Sequence, residues 1–209
     1  MAQQLAFPLV RKLAEYEHYH ADSNIGTAVA ALDDKHLAIA AARFIQVVDT
    51  VSGNEVCKMV DVDISITDMQ SCAARVVDVV RAGHFVVCLV HGWNALRLTV
   101  WDWRMRAFVR SIALPGSTTG AVKLLAVDDD HVCVTQKTER RTTVFDVATG
   151  DVVRQLQSQA PRPVSAIVAS IEGKACVVTI AGSGRRYAQP VRIVENIVSD
   201  AATTEFNLV

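Results

Sequence analysis

No run of 18 or more apolar residues occurs in this 209-residue chain, although 51% of it is hydrophobic. A membrane-spanning helix is therefore not indicated. Charge of one sign is also missing: the formal net charge is −1 and the pI about 6.6, so bulk charge offers nucleic acid no footing. The opening MAQQLAFPLVRKL lacks the basic start and long apolar core of a secretory signal. The five cysteines (Cys57, Cys72, Cys88, Cys133, Cys176) are an odd number and form no CxxC pair. Three lie in the apolar runs VVCLV, HVCVT and KACVV, where cysteine behaves as a small buried hydrophobe. Reduced thiols and a cytoplasmic location are expected.

Signatures of chemistry are absent as well. There is no G-x-S-x-G elbow, no H-E-x-x-H, no G-x-G-x-x-G and no Gly-Lys-Ser/Thr phosphate loop. Glu17, His18 and His20 alternate in the polar stretch EYEHYHADSN, which reads as solvated side chains rather than a metal site. Neither a cofactor nor a metal is expected, and the chain does not read as an enzyme.

What is present is repetition. The stretch LTVWDWRMRAFVRSIAL (Leu98 to Leu114) runs as an apolar strand ending in Trp101-Asp102, a turn, and a second strand from near Phe108. FIQVVDTVSGNEVCKMV repeats the pattern around Asp49 and Gly53, and TTVFDVATGDVVRQL around Asp146 and Gly150. PVRIVENIV is a weaker copy with Glu195 in the aspartate's place. Successive acidic positions lie 53, 44 and 49 residues apart. A period of roughly 40–50 residues with four strand-like pieces is the mark of a propeller blade.

A second pattern precedes each of these. TAVAALDDKHLAIAAA, ARVVDVVRAGHFVVCLVH, GAVKLLAVDDDHVCVTQK and PVSAIVASIEGKACVVTI each give strand, turn and strand. A histidine follows the turn at His36, His84 and His131, with Lys174 in the fourth copy. A polar residue beside Asp33-Asp34 or Asp128-Asp129-Asp130 invites a catalytic reading. Its repetition argues against one, because an enzyme needs one constellation and these groups belong to separate units. Aspartate supplies turn hydrogen bonds at such corners. The strands are apolar on both alternating positions, as expected of sheets packed on both faces. The units span about 27–60, 75–113, 121–157 and 163–209, with residues 1–26 forming an outer strand (LVRKLA, Leu9 to Ala14) and a loop. An amphipathic helix over Leu5 to Tyr16 competes with that outer strand, and Pro8 counts against it.

These units resemble WD-repeat β-propeller blades. VAALDDKHLAIA corresponds to the family's first strand, turn and second strand, while VWDWRMRAF and VFDVATGDVV correspond to the Trp-Asp end of the third strand and the turn after it. The Gly-His pair before the first strand and the Gly-Ser-x-Asp corner are missing throughout, so the label is degenerate WD-like. The resemblance implies an all-β, β-propeller-like fold of four four-stranded blades. Candidate outer strands at both ends, LVRKLA and TTEFNLV, imply membership of a larger or composite ring, since a closed ring seats one such strand.

It also implies two faces. Arg43, Trp93, Arg140, Arg141, Arg185 and Arg186 share one face, and arginine and tryptophan are enriched at binding hot spots. Solvated hairpin arginines are the plainer reading of the same residues. The expected role is a non-catalytic scaffold for protein–protein interaction, with protein partners that could complete the ring and without membrane or nucleic acid. An alternative is a substrate receptor of a cullin-type ubiquitin ligase, through the box Trp101-Asp102-Trp103-Arg104. An enzyme with a site in the propeller channel fits less well, because the innermost strands are almost bare of polar, titratable side chains and only Asp78 and Lys123 stand out.

Overall fold

The computed structural model describes residues 28–41, 44–60, 75–91, 96–114, 121–136, 139–157, 163–171, 174–181, 186–190 and 204–206. The chain divides into two compact units, Met1–Pro115 and Gly116–Val209. All regular structure among the described residues is β.

Unit 1 holds two four-stranded antiparallel sheets. The first runs β1 (Ala28–Ala31), β2 (His36–Ala41), β3 (Phe44–Asp49), β4 (Glu55–Val60) in spatial order. The second runs β5 (Arg75–Ala82), β6 (Phe85–His91), β7 (Leu96–Asp102), β8 (Ala107–Ala113) in the same way. Unit 2 repeats the arrangement with β9 (Ala121–Ala126), β10 (His131–Gln136), β11 (Arg141–Asp146) and β12 (Val152–Gln157). Its second sheet is β13 (Pro163–Ile171), β14 (Lys174–Ala181), β15 (Arg186–Pro190) and β16 (Thr204–Phe206). Each sheet is thus a meander of propeller-blade type, and the fold is all-β and β-propeller-like.

The middle strands are buried on both sides. Val86, Val87, Cys88, Leu89 and Val90 follow one another along β6 at 1% exposure or less. An apolar run without alternation suits such a position. The fourth strands differ: along β8, Ala107, Val109, Ser111 and Ala113 are exposed while Ile112 is buried, the alternation of an edge with one wet face. A bulge falls at the same place in three fourth strands. Val56, Val109 and Val153 are the extra residues, each seven positions beyond its aspartate. Such bulges twist an edge strand and blunt it against unwanted pairing.

Within unit 1, β5 lies beside β1 and β2. The cluster between the two sheets includes Leu32, Ala38, Val47, Met59, Val79, Val86, Trp101 and Trp103. Within unit 2, β13 lies beside β9, and Cys133, Val144, Leu156, Ala166 and Val177 form a common core.

Two sequence alignments shift. His84 does not match His36 and His131: β5 and β6 join through the two-residue turn Gly83-His84, and Phe85 is the residue opposite Asp102. In the other two sheets a three-residue turn puts His36 opposite Asp49 and His131 opposite Asp146. In the fourth sheet the third strand is Arg186–Pro190, ahead of most of PVRIVENIV, and Glu195 lies outside the described residues. The expected outer strand at Leu9 to Ala14 lies outside them too.

Candidate functional site

Acidic corners organise one end of the sheets. In the β3–β4 turn, Asp49 Oδ1 accepts the backbone N–H groups of Val51 (3.0 Å) and Ser52 (2.6 Å) and the Ser52 hydroxyl (2.9 Å). In the β7–β8 turn, Asp102 Oδ1 accepts from Arg104 N (3.0 Å) and Met105 N (2.9 Å). In the β11–β12 turn, Asp146 Oδ1 accepts from Thr149 N (2.7 Å). The N–H of Ser52 and that of Thr149 are the chief reasons the Asp49 and Asp146 carboxyls titrate below the ordinary range.

The first turns are held the same way. Asp33 Oδ1 accepts from Lys35 N and His36 N, both at 2.8 Å, and lies 2.8 Å from His36 Nδ1. Asp128 Oδ1 repeats this with Asp130 N (2.9 Å), His131 N (2.8 Å) and His131 Nδ1 (2.8 Å). The Lys35 N–H, then the His36 ring, hold the Asp33 carboxyl low. Backbone latches tie the two turns of a sheet together: Thr50 N donates to Lys35 O (2.6 Å) and Val147 N to Asp130 O (2.8 Å). His84 is 53% exposed, and its Nε2 is 3.9 Å from Asp102 Oδ2. These His–Asp pairs repeat on separate sheets as parts of turns, where aspartate holds the corner through backbone N–H groups.

The Trp-Asp-Trp-Arg box is mostly internal. Trp101 is buried edge-on against Phe108, centroids 5.1 Å apart, and its indole N–H has no hydrogen-bond partner among the described residues. Asp102 is consumed by its turn. Trp103 is buried with its ring 5.1 Å from that of His36 on the neighbouring sheet. Arg104 is exposed, its guanidinium 5.6 Å from the Trp103 ring centroid.

Of the residues expected on an arginine face, Arg140, Arg141 and Arg186 are among those described. Arg140 is exposed in the β10–β11 turn at φ 50°. Arg141 opens β11, where its guanidinium pairs with the Glu139 carboxylate and donates to Gln136 Oε1 at 3.2 and 3.3 Å. Arg186 opens β15, opposite Ile180 and Phe206. The hairpins between second and third strands thus carry Arg140, Arg141 and Arg186 in unit 2. Arg43, Trp93 and Arg185 lie outside the described residues. Of the two inner-strand groups, Asp78 accepts the Val79 N–H (3.0 Å) and Lys123 is exposed.

One feature of the β7–β8 turn escaped the sequence reading. Four residues beyond each aspartate the chain takes a left-handed conformation, at Gly53 (φ 70°), Gly150 (φ 80°) and Arg106 (φ 54°). Glycine adopts it without steric cost and arginine does not. Lining up the three Asp-turns would have exposed the odd residue. Among the described residues, no group of three or more His, Cys, Asp or Glu side chains is arranged to hold a metal, and no helix is long and apolar enough to cross a membrane.

No protein-family description and no curated protein matches the chain. Solved structures do. A chain of the mitotic checkpoint complex superposes with a TM-score of 0.60 at 14% identity, over 80% of this chain and 49% of that one. The computationally designed Ika8 protein gives 0.55 at 18%, over 79% and 45%. The dihydro-heme d1 dehydrogenase NirN, in complex with DHE, gives 0.55 at 16%, over 78% and 35%. This chain therefore spans half or less of each of those chains, and at such identities the likeness is one of fold: an all-β array of blade-like four-stranded sheets.

Proposed function

We propose that this chain is a non-catalytic protein–protein interaction module, a propeller subunit or segment within a larger assembly. The observation that carries the reading is how the polar residues of the corners are spent. Asp33, Asp49, Asp102, Asp128 and Asp146 all bind turn N–H groups, which makes each corner a rigid mount for the exposed residues around it. Fold alone does not separate the classes, since the similar structures include both a component of an assembly and a dehydrogenase. An enzyme site in a channel would call on the inner strands, where Asp78 is occupied by its own strand. Docking to a ubiquitin ligase through the Trp101-Asp102-Trp103-Arg104 box would rest on Arg104, because the other three hold the sheet.

The arginine face is the proposed partner surface, with Arg140 its exposed described member. Arg43, Trp93, Arg185 and Arg186 belong to the same proposal, while Arg141 serves as the anchor that pairs with Glu139. The length ratios support completion of the ring by further sequence or another chain. The buried thiols of Cys57, Cys88 and Cys133 fit a reducing compartment such as the cytoplasm. Replacing Arg140, Arg141, Arg185 and Arg186 together by Ala tests the face. A native partner complex should weaken by about 2 kcal/mol or more if they are hot-spot residues, with the β-sheet spectrum intact. Unchanged affinity and unchanged salt dependence would reduce them to surface decoration. The solution mass of this chain, beside that of any longer native form, tests ring completion.

A further inference from the structure

We infer that the β7–β8 turn, through Arg104, Met105 and Arg106, is a docking point for an acidic segment of a partner protein that carries an apolar side chain among its carboxylates. The inference adds to the interaction reading a second contact surface and the chemistry of what it takes. Its first support is an internal comparison. Three sheets of one chain build the same Asp-capped corner; two put glycine at the left-handed position and the third puts arginine. The turn itself is better served by glycine, so the side chain at Arg106 answers a different need. An observed backbone outlier is a sound starting point for such an argument.

The second support is what the turn displays. Met105 is 75% exposed, the highest value among the exposed large apolar residues. Arg104 and Arg106 flank it, and both are exposed. Neither guanidinium forms an ion pair among the described residues. The carboxylate nearest in sequence, Asp102, is already bound to the N–H groups of Arg104 and Met105. Two guanidiniums without an ion pair among the described residues, set around a flexible thioether, suit a ligand with the inverse pattern, an apolar side chain between carboxylates.

The third support is rigidity. Trp103 anchors the turn from below by its burial against His36, and Arg104 rests near its ring. Asp102 fixes the backbone from the other side. The Trp103 ring, 5.1 Å from that of His36, sets the turn beside the first sheet of unit 1. A preformed turn loses little entropy on binding, which is where such a contact gains its strength.

The probe is a fluorescently labelled peptide, Glu-Asp-Leu-Asp-Glu, titrated against the full chain and followed by anisotropy. Its controls are the charge-reversed Lys-Arg-Leu-Arg-Lys and a version with Ser for Leu. Saturable binding of the acidic peptide alone is expected, weakened by added salt and by the loss of Leu. Arg106→Gly and Arg104→Gln should each weaken it about tenfold. Arg106→Gly should melt no lower than the parent, which separates lost binding from lost folding. Arg81→Gln, at an exposed site in the β5–β6 hairpin, should bind as the parent does. Absence of saturable binding, or equal binding by the Arg104→Gln/Arg106→Gly double variant, overturns the inference. Because the arginine-face test uses other residues and a native partner, either proposal can fail while the other stands.

Discussion

The imidazole of His36 packs on the indole of Trp103, with ring centroids 5.1 Å apart and planes inclined by 47°. The two residues come from different sheets of unit 1, one opening β2 and the other in the β7–β8 turn. Asp33 holds the imidazole from behind, 2.8 Å from Nδ1. Corner hydrogen bonds within one sheet thereby set the position of a ring that receives the next sheet.

Removing the indole should be the costlier half of that contact. Trp103→Ala is expected to destabilise unit 1 by about 3 kcal/mol, the low end for a buried aromatic. His36→Ala should cost about 1 kcal/mol, chiefly the hydrogen bond to Asp33. Urea unfolding of both variants and the double variant measures their coupling. Strict additivity would mean that the two rings are neighbours without consequence.

The left-handed corner makes a prediction of opposite sign. Arg106→Gly relieves about 1–2 kcal/mol of backbone strain, and the looser unfolded chain takes back about 0.4–1 kcal/mol. A small net gain in melting temperature is expected. Gly150→Ala, at the equivalent corner of unit 2, should lose about 1 kcal/mol or more. A matched fall in both variants would show that Arg106 holds its turn through its side chain.

Acid should loosen the corners. Asp33, Asp49 and Asp146 titrate below the ordinary value of 3.8 because they accept turn N–H groups in the folded state. The unfolded chain therefore takes up protons at higher pH than the folded one. Their contribution is complete above the unfolded value and is lost as pH falls through the lowered folded values. Denaturant midpoints should drop on going below about pH 4, and less steeply in an Asp33→Asn/Asp146→Asn variant. Parallel curves for parent and variant would remove these carboxylates from the acid response.

Thiol reactivity should rank by burial. Cys133 is fully buried and its thiol is pushed up to about 12, so the thiolate is a fraction of about 10⁻⁴ at pH 8. Cys88 is equally inaccessible, while Cys57, at 8% exposure, is the least enclosed of the three. Native-state labelling should reach Cys57 first and the other two at the rate of unfolding. Prompt labelling of Cys88 would contradict the packing of β6.

Much of this fold is legible in the sequence because its signals are local. Val-Val-Asp, Trp-Asp and Phe-Asp mark one turn three times, and Gly53 and Gly150 close two of them, since aspartate caps and left-handed corners are decided within five or six residues. The apolar runs at β6 and β10 announce strands buried on both faces for the same reason. What the sequence could not settle depends on contacts between distant segments. His84 resembles His36 in a string, yet a turn shorter by one residue moves it out of register, and only strand pairing counts that residue. Arg140 and Arg141 are adjacent and alike in sequence; the fold pairs one with Glu139 and Gln136 and leaves the other exposed. Trp101 and Trp103 flank the same aspartate, yet the ring of one meets Phe108 of its own sheet and that of the other meets His36 of the neighbouring sheet, because packing between sheets is a property of the assembled core and of no single stretch of chain.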